Sequence, residues 1–419
     1  MLLKPDTPDI VAQVRAQFHA SPPTKLGIAV SGGGDSTALM HILAKCFEQG
    51  SVELFTATVD HGLRAQSDDE ARDVAAQAKF LGISHQTLKW EGWDGSGNLS
   101  DQARRARYRL LTEWAKSKSI AVIAFGHTAD DQAETVMMRL IRAAGVTGLS
   151  AMPVRRTLQG VTIFRPLLDI TRADLRNFLR QNNITWFDDP SNDDLHFDRI
   201  KVRRALEVLA PLGLTSHTLS QVAQNMAQAR EALDWYSFLA ARELVTIVGG
   251  DVVFCLRKFR ALPDEVARRL FMQALMWIGG AEYPPRRASV INAIDKVRHG
   301  QPTTLSGCRV VQQARSVWIC REYNAVRRKH VGCAEVWDGR WRLSGGDALG
   351  CEVRPLGQRG LKMNPNWRDI GHPNAALTAS PSVWRGDNLI AAPLAGLANG
   401  WTAELVGGEE EFYASLLSH

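Results

Sequence analysis

Residues 26–36, LGIAVSGGGDS, decide the fold of this chain. Leu26 to Val30 are apolar enough for a short buried strand. Ser31, Gly32, Gly33, Gly34, Asp35 and Ser36 then make a tight turn, and a helical run follows from Thr37 to Phe47. Glycine lets the backbone turn sharply and come close to a ligand. The N–H groups of the turn and of the helix start form an anion cradle. It lies at the carboxyl end of a strand, where open α/β sheets bind ligands. A Walker A loop would need Gly-Lys-Ser/Thr here, and no Lys is present. Asp35 and Ser36 close the turn instead, and a carboxylate beside phosphates points to a bridging Mg²⁺. A glycine-rich turn without a ligand is the plainer alternative, but a full hexapeptide between strand and helix argues against it.

Outward from this loop, strands and helices alternate. Glu53 to Val59 forms a strand ending in Asp60 and His61, and a helix follows from Ser67 to Leu81. A strand at 85–90, a Gly-rich loop at 92–98, a helix from Ser100 to Lys118 and an apolar strand at 121–126 come next. The predicted fold is therefore α/β, with a doubly wound, mainly parallel sheet. His127 opens the next helix, which carries Asp130, Asp131 and Glu134 and runs to Ala144. The i, i+3 and i, i+4 spacings turn these acids the same way. They suit Mg²⁺ or the ammonium of an amine substrate, or they are helix-start carboxylates favoured by the dipole. A strand at 162–167, a helix from Thr171 to Gln181, the loop WFDDPSN (186–192) and the basic Arg199, Lys201, Arg203 and Arg204 complete this part.

The bulk composition fits that picture. The chain has 419 residues, 45% hydrophobic and 22% charged, with a net charge of +6. That is room for two or three domains. The opening MLLKPDTPDI lacks the apolar core of a signal peptide, and no apolar run reaches membrane-span length. The six cysteines include no C-x-x-C pair and read as reduced thiols of a cytoplasmic protein.

SGGGDS (31–36) resembles the loop of the ATP pyrophosphatases, which split ATP between its α- and β-phosphates. With VDHGLR (59–64), ARRARY (103–108), the segment 126–152, RPLL (165–168) and DDPSN (188–192) in the same order, the chain resembles the tRNA(Ile)-lysidine synthases. The likeness covers about residues 25–205 and implies an adenine nucleotide alpha-hydrolase-like fold. Two positions depart from the family: Ile200 follows Arg199 where an Asn is usual, and Gly126 stands where an Ala is common.

The resemblance implies two steps. ATP adenylylates O2 of the wobble cytidine in the CAU anticodon of isoleucine tRNA, and the amine of free L-lysine then displaces AMP. ATP and Mg²⁺ are the implied cofactors. Ser31, Gly32, Gly33, Gly34, Asp35, Ser36, Asp60 and His61 are the expected ATP residues. Asp35, Asp131, Glu134 and Arg104 are the expected catalytic set, with Asp35 and Asp131 toward the metal. Arg104 and Arg107 suit the lysine carboxylate, since arginine pairs carboxylates bidentately. Asp130, Asp131, Glu134 and Arg203 complete the substrate set. The sequence leaves the general base open. It also leaves the oligomeric state open, a homodimer included.

Beyond residue 212 the pattern changes. Residues 213–330 read as a mostly helical, basic tRNA-binding domain after a catalytic domain at 1–212. Leu219, Val222, Met226, Ala229, Leu233 and Tyr236 give a helix over 216–240 one apolar face. More helices follow at 264–278 and 287–298, then a strand pair at 303–321. Residues 251–330 carry 15 Lys and Arg against 6 Asp and Glu, including the pair Arg268-Arg269. Such an excess suits a phosphate backbone or is a solvated basic face. Residues 331–419, rich in Gly, Pro and Trp, read as a small β-rich domain that the family likeness associates with tRNA recognition. Two other readings stay open: another tRNA-modifying ATP pyrophosphatase such as a thiolase, disfavoured by the missing C-x-x-C, and a non-catalytic tRNA-binding protein.

Overall fold

The computed structural model describes residues 9–18, 22–62, 67–91, 98–187, 198–281 and 283–417. Leu63, Arg64, most of the Gly-rich loop after Trp90, and Asp188 to Asn192 of the D-D-P-S-N loop lie outside the described residues. The chain forms two compact units, residues 1–230 and 231–418.

In the first unit α1 (Ile10–Ala16) leads into β1 (Lys25–Ala29), α2 (Gly34–Cys46), β2 (Glu53–Asp60), α3 (Ser67–Phe80), β3 (Ser84–Lys89), α4 (Leu99–Ser117), β4 (Val122–Phe125) and α5 (Ala129–Ile141). A short α6 (Val146–Leu149), the hairpin β5 (Arg155–Leu158) and β6 (Val161–Phe164), α7 (Arg172–Gln181) and α8 (Asp198–Leu209) follow. The strands lie in the order β3-β2-β1-β4-β6-β5, all parallel except β5 against β6. The parallel α/β reading holds.

Period-two alternation splits the core between the two faces of the sheet. Leu26 and Ile28 pack with α1, α2, α3 and α7, while Ala29, Ile123 and Phe125 pack with Leu111 and Trp114 of α4. Gly27 is required by that second layer. A Cβ there would stand 2.9 Å from Trp114 Cζ3. Antiparallel β5, which the sequence reading did not anticipate, is exposed on three of its four residues and forms the sheet edge.

Helix α9 (Ser216–Leu244) begins in the first unit and ends in the second. In the second unit, β7 (Val245–Val248), β8 (Asp251–Cys255), β9 (Thr303–Leu305), β10 (Cys308–Gln313) and β11 (Ser316–Arg321) form an antiparallel sheet in the order β7-β8-β11-β10-β9. It packs on α10 (Leu256–Ala261), α11 (Asp264–Gly279) and α12 (Arg287–Arg298). The β7–β8 hairpin was not foreseen. Residues 331–417 hold a four-stranded and a two-stranded antiparallel sheet, as the β-rich reading expects, together with short helices. Four of their five tryptophans, Trp337, Trp341, Trp384 and Trp401, are buried core, and Trp367 is half-buried. Arg268 and Arg269 are also interior. They pair with Glu265, and Arg269 also with Asp234, so this part of the basic excess is spent inside the fold.

Candidate active site at the head of the parallel sheet

From β1 the chain moves outward to β2 and β3, then returns to the other side of β1 at β4. The strand order reverses there, and the loops leaving β1 and β4 diverge around a crevice. One carries SGGGDS and the other His127 to Glu134.

The first loop is held from within. Ser31 N–H donates to Ser36 Oγ (3.0 Å), the Ser36 hydroxyl donates to the Gly33 carbonyl (3.0 Å), and Thr37 Oγ1 donates to the Gly32 carbonyl (3.3 Å). Gly32 has φ +86°, a left-handed conformation that glycine takes without strain. Helix α2 begins at Gly34, three residues before the expected start, so Asp35 and Ser36 lie in its first turn. No side chain caps that turn, and its N–H groups are left for an anion. Ser36 thus shapes the loop with its hydroxyl.

The second segment is fixed by a capping box. Thr128 Oγ1 accepts from the Asp131 N–H (3.3 Å), and Asp131 Oδ2 accepts from the Thr128 N–H (2.9 Å). This sets the start of α5, while Ala143 at φ +51° closes the chain beyond its end at Ile141, short of the expected Ala144. Asp131 and Glu134 are buried, Glu134 to 1% exposure.

Between the two segments lies a residue the sequence reading passed over, Arg172. Its Nε donates to Asp35 Oδ2 (3.1 Å), one terminal nitrogen to Asp131 Oδ1 (3.1 Å), and the other approaches Glu134 Oε1 (3.4 Å). Its backbone N–H donates to Asp130 Oδ2 (2.7 Å), whose other oxygen accepts from the Ser216 hydroxyl (2.9 Å). Glu134 also takes Arg203 Nε (3.0 Å) and Arg199 Nε (3.2 Å). Three predicted acids therefore meet at one guanidinium, with Asp130 on the same residue's backbone N–H and Arg203 on Glu134. The signal available in the sequence was the box T-x-x-D at 171–174, which starts α7 and puts Arg172 at its first position.

Burial raises the Asp35 carboxyl above its usual range, and Arg172 only partly offsets this. Burial acts the same way on Asp131, but there Arg172 and the Thr128 N–H help to outweigh it and the carboxyl sits low. Burial also depresses Arg172, yet Asp131, Asp35, Glu134 and Asp130 together hold it above the ordinary arginine range. His127 is driven down to about 3 by burial, so it is neutral at physiological pH.

Asp60 and His61 lie on the other side of β1. Asp60 Oδ1 accepts from the Gly62 N–H (2.8 Å), the turn-closing contact of a strand end. With Ala29, Ser31, Ala57, Arg107 and Leu111 they line a cavity of 190 Å³, part apolar and part polar. Arg107 lies over the Phe125 ring at 5.5 Å and Arg104 over Tyr108 at 5.3 Å, on a stack of Tyr108, Phe125 and His127. Burial pushes the Tyr108 phenol up, but Arg104, Arg165 and Arg107 pull it below its usual range, the mark of a positive neighbourhood.

Two carboxylates here keep a buried oxygen without a hydrogen bond, Asp35 Oδ1 and Glu134 Oε2, the latter ion-paired with Arg199. The Asp35 oxygen fits a cation bridging to phosphates. Both oxygens of Asp131 already accept from protein donors. Among the described residues no group of three or more His, Cys, Asp or Glu is placed to hold a metal ion unaided.

The PP-loop domain family matches residues 7–209. A tRNA(Ile)-lysidine synthase of Ruegeria pomeroyi is 58% identical over 419 residues, all of both chains. The chain belongs to the tRNA(Ile)-lysidine synthase family. The synthase of Wolbachia pipientis wMel is 34% identical over 88% of each chain, and that of Bradyrhizobium sp. (strain BTAi1) is 40% identical over 61% of this chain and 74% of its own. Within this family the two departures have local reasons. Ile200 is buried in α8, a setting that suits an apolar side chain. At Gly126 a Cβ would meet the backbone of Asp35 and Ser36 at 3.0 Å, so here glycine allows the closer approach of the two segments.

Proposed function

We propose that this chain ligates lysine to C2 of the wobble cytidine in the CAU anticodon of isoleucine tRNA, using ATP, so that the modified base pairs with A and the tRNA reads AUA. The observation that carries this reading is the meeting of the uncapped SGGGDS helix start with the acid cluster around Arg172 at one switch point. A nucleotide-activating loop thus adjoins groups that suit an amine.

ATP lies with its phosphates on the loop N–H groups and its adenosine in the cavity lined by Ala29, Ala57 and Leu111. The cytidine O2 attacks the α-phosphorus, and pyrophosphate leaves. AMP is a good leaving group where the carbonyl oxygen is not, and the lysine amine then displaces it at C2. Mg²⁺ would be held by Asp35 and would neutralise phosphate charge. Asp131 and Glu134 face the lysine ammonium, with Arg203 and Arg172 balancing their charge. Arg104 and Arg107 take the lysine carboxylate from the positive stack at Tyr108. The wobble base must leave its stack to reach such a site. Residues 213–330 and 331–419 serve to grip the tRNA. We place the reaction in the cytoplasm with its tRNA, and keep a homodimer as the assembly to test by sedimentation.

The test uses purified protein, ATP, Mg²⁺, labelled lysine and unmodified isoleucine tRNA with a CAU anticodon. Label should enter that tRNA and not methionine tRNA with the same anticodon. Pyrophosphate release without label would point to another PP-loop modification. Neither product, with tRNA still bound, would leave a binding protein.

A further inference from the structure

The second unit holds a pair of cysteines that the site does not use. The edge strand at residues 331–332 runs antiparallel to Glu352–Pro355, with Val331 opposite Val353 and Gly332 opposite Glu352. The ladder ends at that second pair, where the two chains stand about 4.5–5.5 Å apart between Cα atoms. Cys333 and Cys351 are the next residues on either side, Cys333 opening a turn closed by Glu335 N–H on the Gly332 carbonyl and Cys351 closing one on the Ala348 carbonyl. The spacing of the neighbouring pair is the spacing a disulfide spans. Both cysteines pack against the same apolar cluster as Val331 and Val353. Both are half-buried free thiols, so a small reagent can reach them.

The same register brings a cation to the pair. Glu352 lies opposite Trp384 on the next strand, Pro381–Arg385, so Arg385 falls beside Cys351. The Arg385 guanidinium lies beside the Cys351 sulfur and donates to Asp347 Oδ2 (2.8 Å). The cation stands where negative charge gathers on sulfur during thiol–disulfide exchange. Burial pushes Cys46 up to about 11, Cys308 up to about 12 and Cys320 well above its ordinary value, and it raises Cys333 as well, so none of these four is a ready thiolate.

We infer that Cys333 and Cys351 form a reversible disulfide that staples the edge of the C-terminal sheet, with Cys351 as the attacking thiol and a low-molecular-weight disulfide as the oxidant. The Cys351 thiolate attacks one sulfur of the small disulfide, giving a mixed disulfide and expelling a small thiolate. The Cys333 thiolate then attacks the Cys351 sulfur and expels the second. Two electrons pass from the pair to the oxidant, two protons are released from the cysteines, and the expelled thiolates take up protons to become thiols. A dithiol in excess reverses both steps.

The full chain, equilibrated with a glutathione redox series and mapped by mass spectrometry under non-reducing conditions, tests this. A peptide linking residues 333 and 351 should appear, lost on adding dithiothreitol. Cys333→Ser and Cys351→Ser should each abolish it, and Cys255→Ser should leave it unchanged. Arg385→Gln should slow its formation several-fold at neutral pH. Cys333→Ser should arrest the reaction at a glutathione adduct on Cys351. A stable adduct in the native chain with no internal link, a link through Cys255, or no oxidation before the chain unfolds would each overturn the inference. So would an adduct that accumulates on Cys333 in Cys351→Ser as fast as on Cys351 in Cys333→Ser.

Discussion

Arg172 shows how far a single side chain can organise a site. It stands among Asp35, Asp131 and Glu134, and its own backbone holds Asp130. Removing one partner of a buried ion cluster leaves the others uncompensated. Arg172→Ala should therefore lower stability by about 2–3 kcal/mol, less than a fully buried pair because its side chain keeps some contact with water. It should also cut lysine incorporation by roughly 100-fold, as loss of a preorganised electrostatic group does. Urea unfolding and the labelled-lysine assay read the two effects separately. Wild-type turnover in Arg172→Ala would remove the residue from the mechanism. His127 supplies a pH test. It is neutral in the fold down to about 3, whereas a free imidazole titrates near 6.5. Between these values the unfolded chain binds a proton that the native chain does not, so stability should fall as pH drops from about 6.5 toward 3. The slope from this residue is at most about 1.4 kcal/mol per pH unit. His127→Gln should flatten that limb in unfolding curves taken from pH 7 to pH 4.5; an unchanged limb would assign the acid sensitivity to other groups.

At the scale of elements, the site depends on where helices begin. Helix α2 opens at Gly34 without a side-chain cap, and α5 and α7 open with capping boxes at Thr128 and Thr171. The bare start leaves N–H groups for phosphate, while the boxes aim Asp131 and Arg172. Thr128→Ala removes the hydroxyl that accepts from the Asp131 N–H and donates to Asp131 Oδ2. It should cost about 1 kcal/mol of stability. Its effect on activity should be larger than that figure implies, because Asp131 loses a donor that fixes its rotamer. Thr128→Ser, which keeps the hydroxyl, should restore both. A Thr128→Ala enzyme with full activity and reduced stability would make the box structural only.

At the scale of the whole molecule, the C-terminal residues belong to the second unit's main core. Phe412, Tyr413 and Leu416 pack with α11 and the β7–β11 sheet, and Phe412 is fully buried. Deleting residues 410–419 should therefore destabilise that unit by at least the 3–5 kcal/mol of a buried aromatic truncation. A thermal scan should show one transition moved down while a second, from residues 1–230, keeps its midpoint. Separate transitions are the usual behaviour of multidomain chains. Coincident loss of both would contradict the division into two units.

The sequence by itself determined the parallel sheet, because apolar runs, glycine turns and helical periods are local features that the backbone must obey. It also located the phosphate loop and the acids of α5, since the chemistry of each lies in one short stretch. It could not bring Arg172 to Asp35, 137 residues away, because that meeting depends on strand order. Nor could it tell that Arg268 and Arg269 are interior while Arg257 and Arg328 are exposed, since the same residue type serves a buried ion pair and a solvated face. Ser36 reads as an ATP residue from sequence, and the fold adds that its hydroxyl donates to the Gly33 carbonyl and shapes the loop. What only the tertiary structure decided is which groups already have partners, because pairing is a property of distance in space.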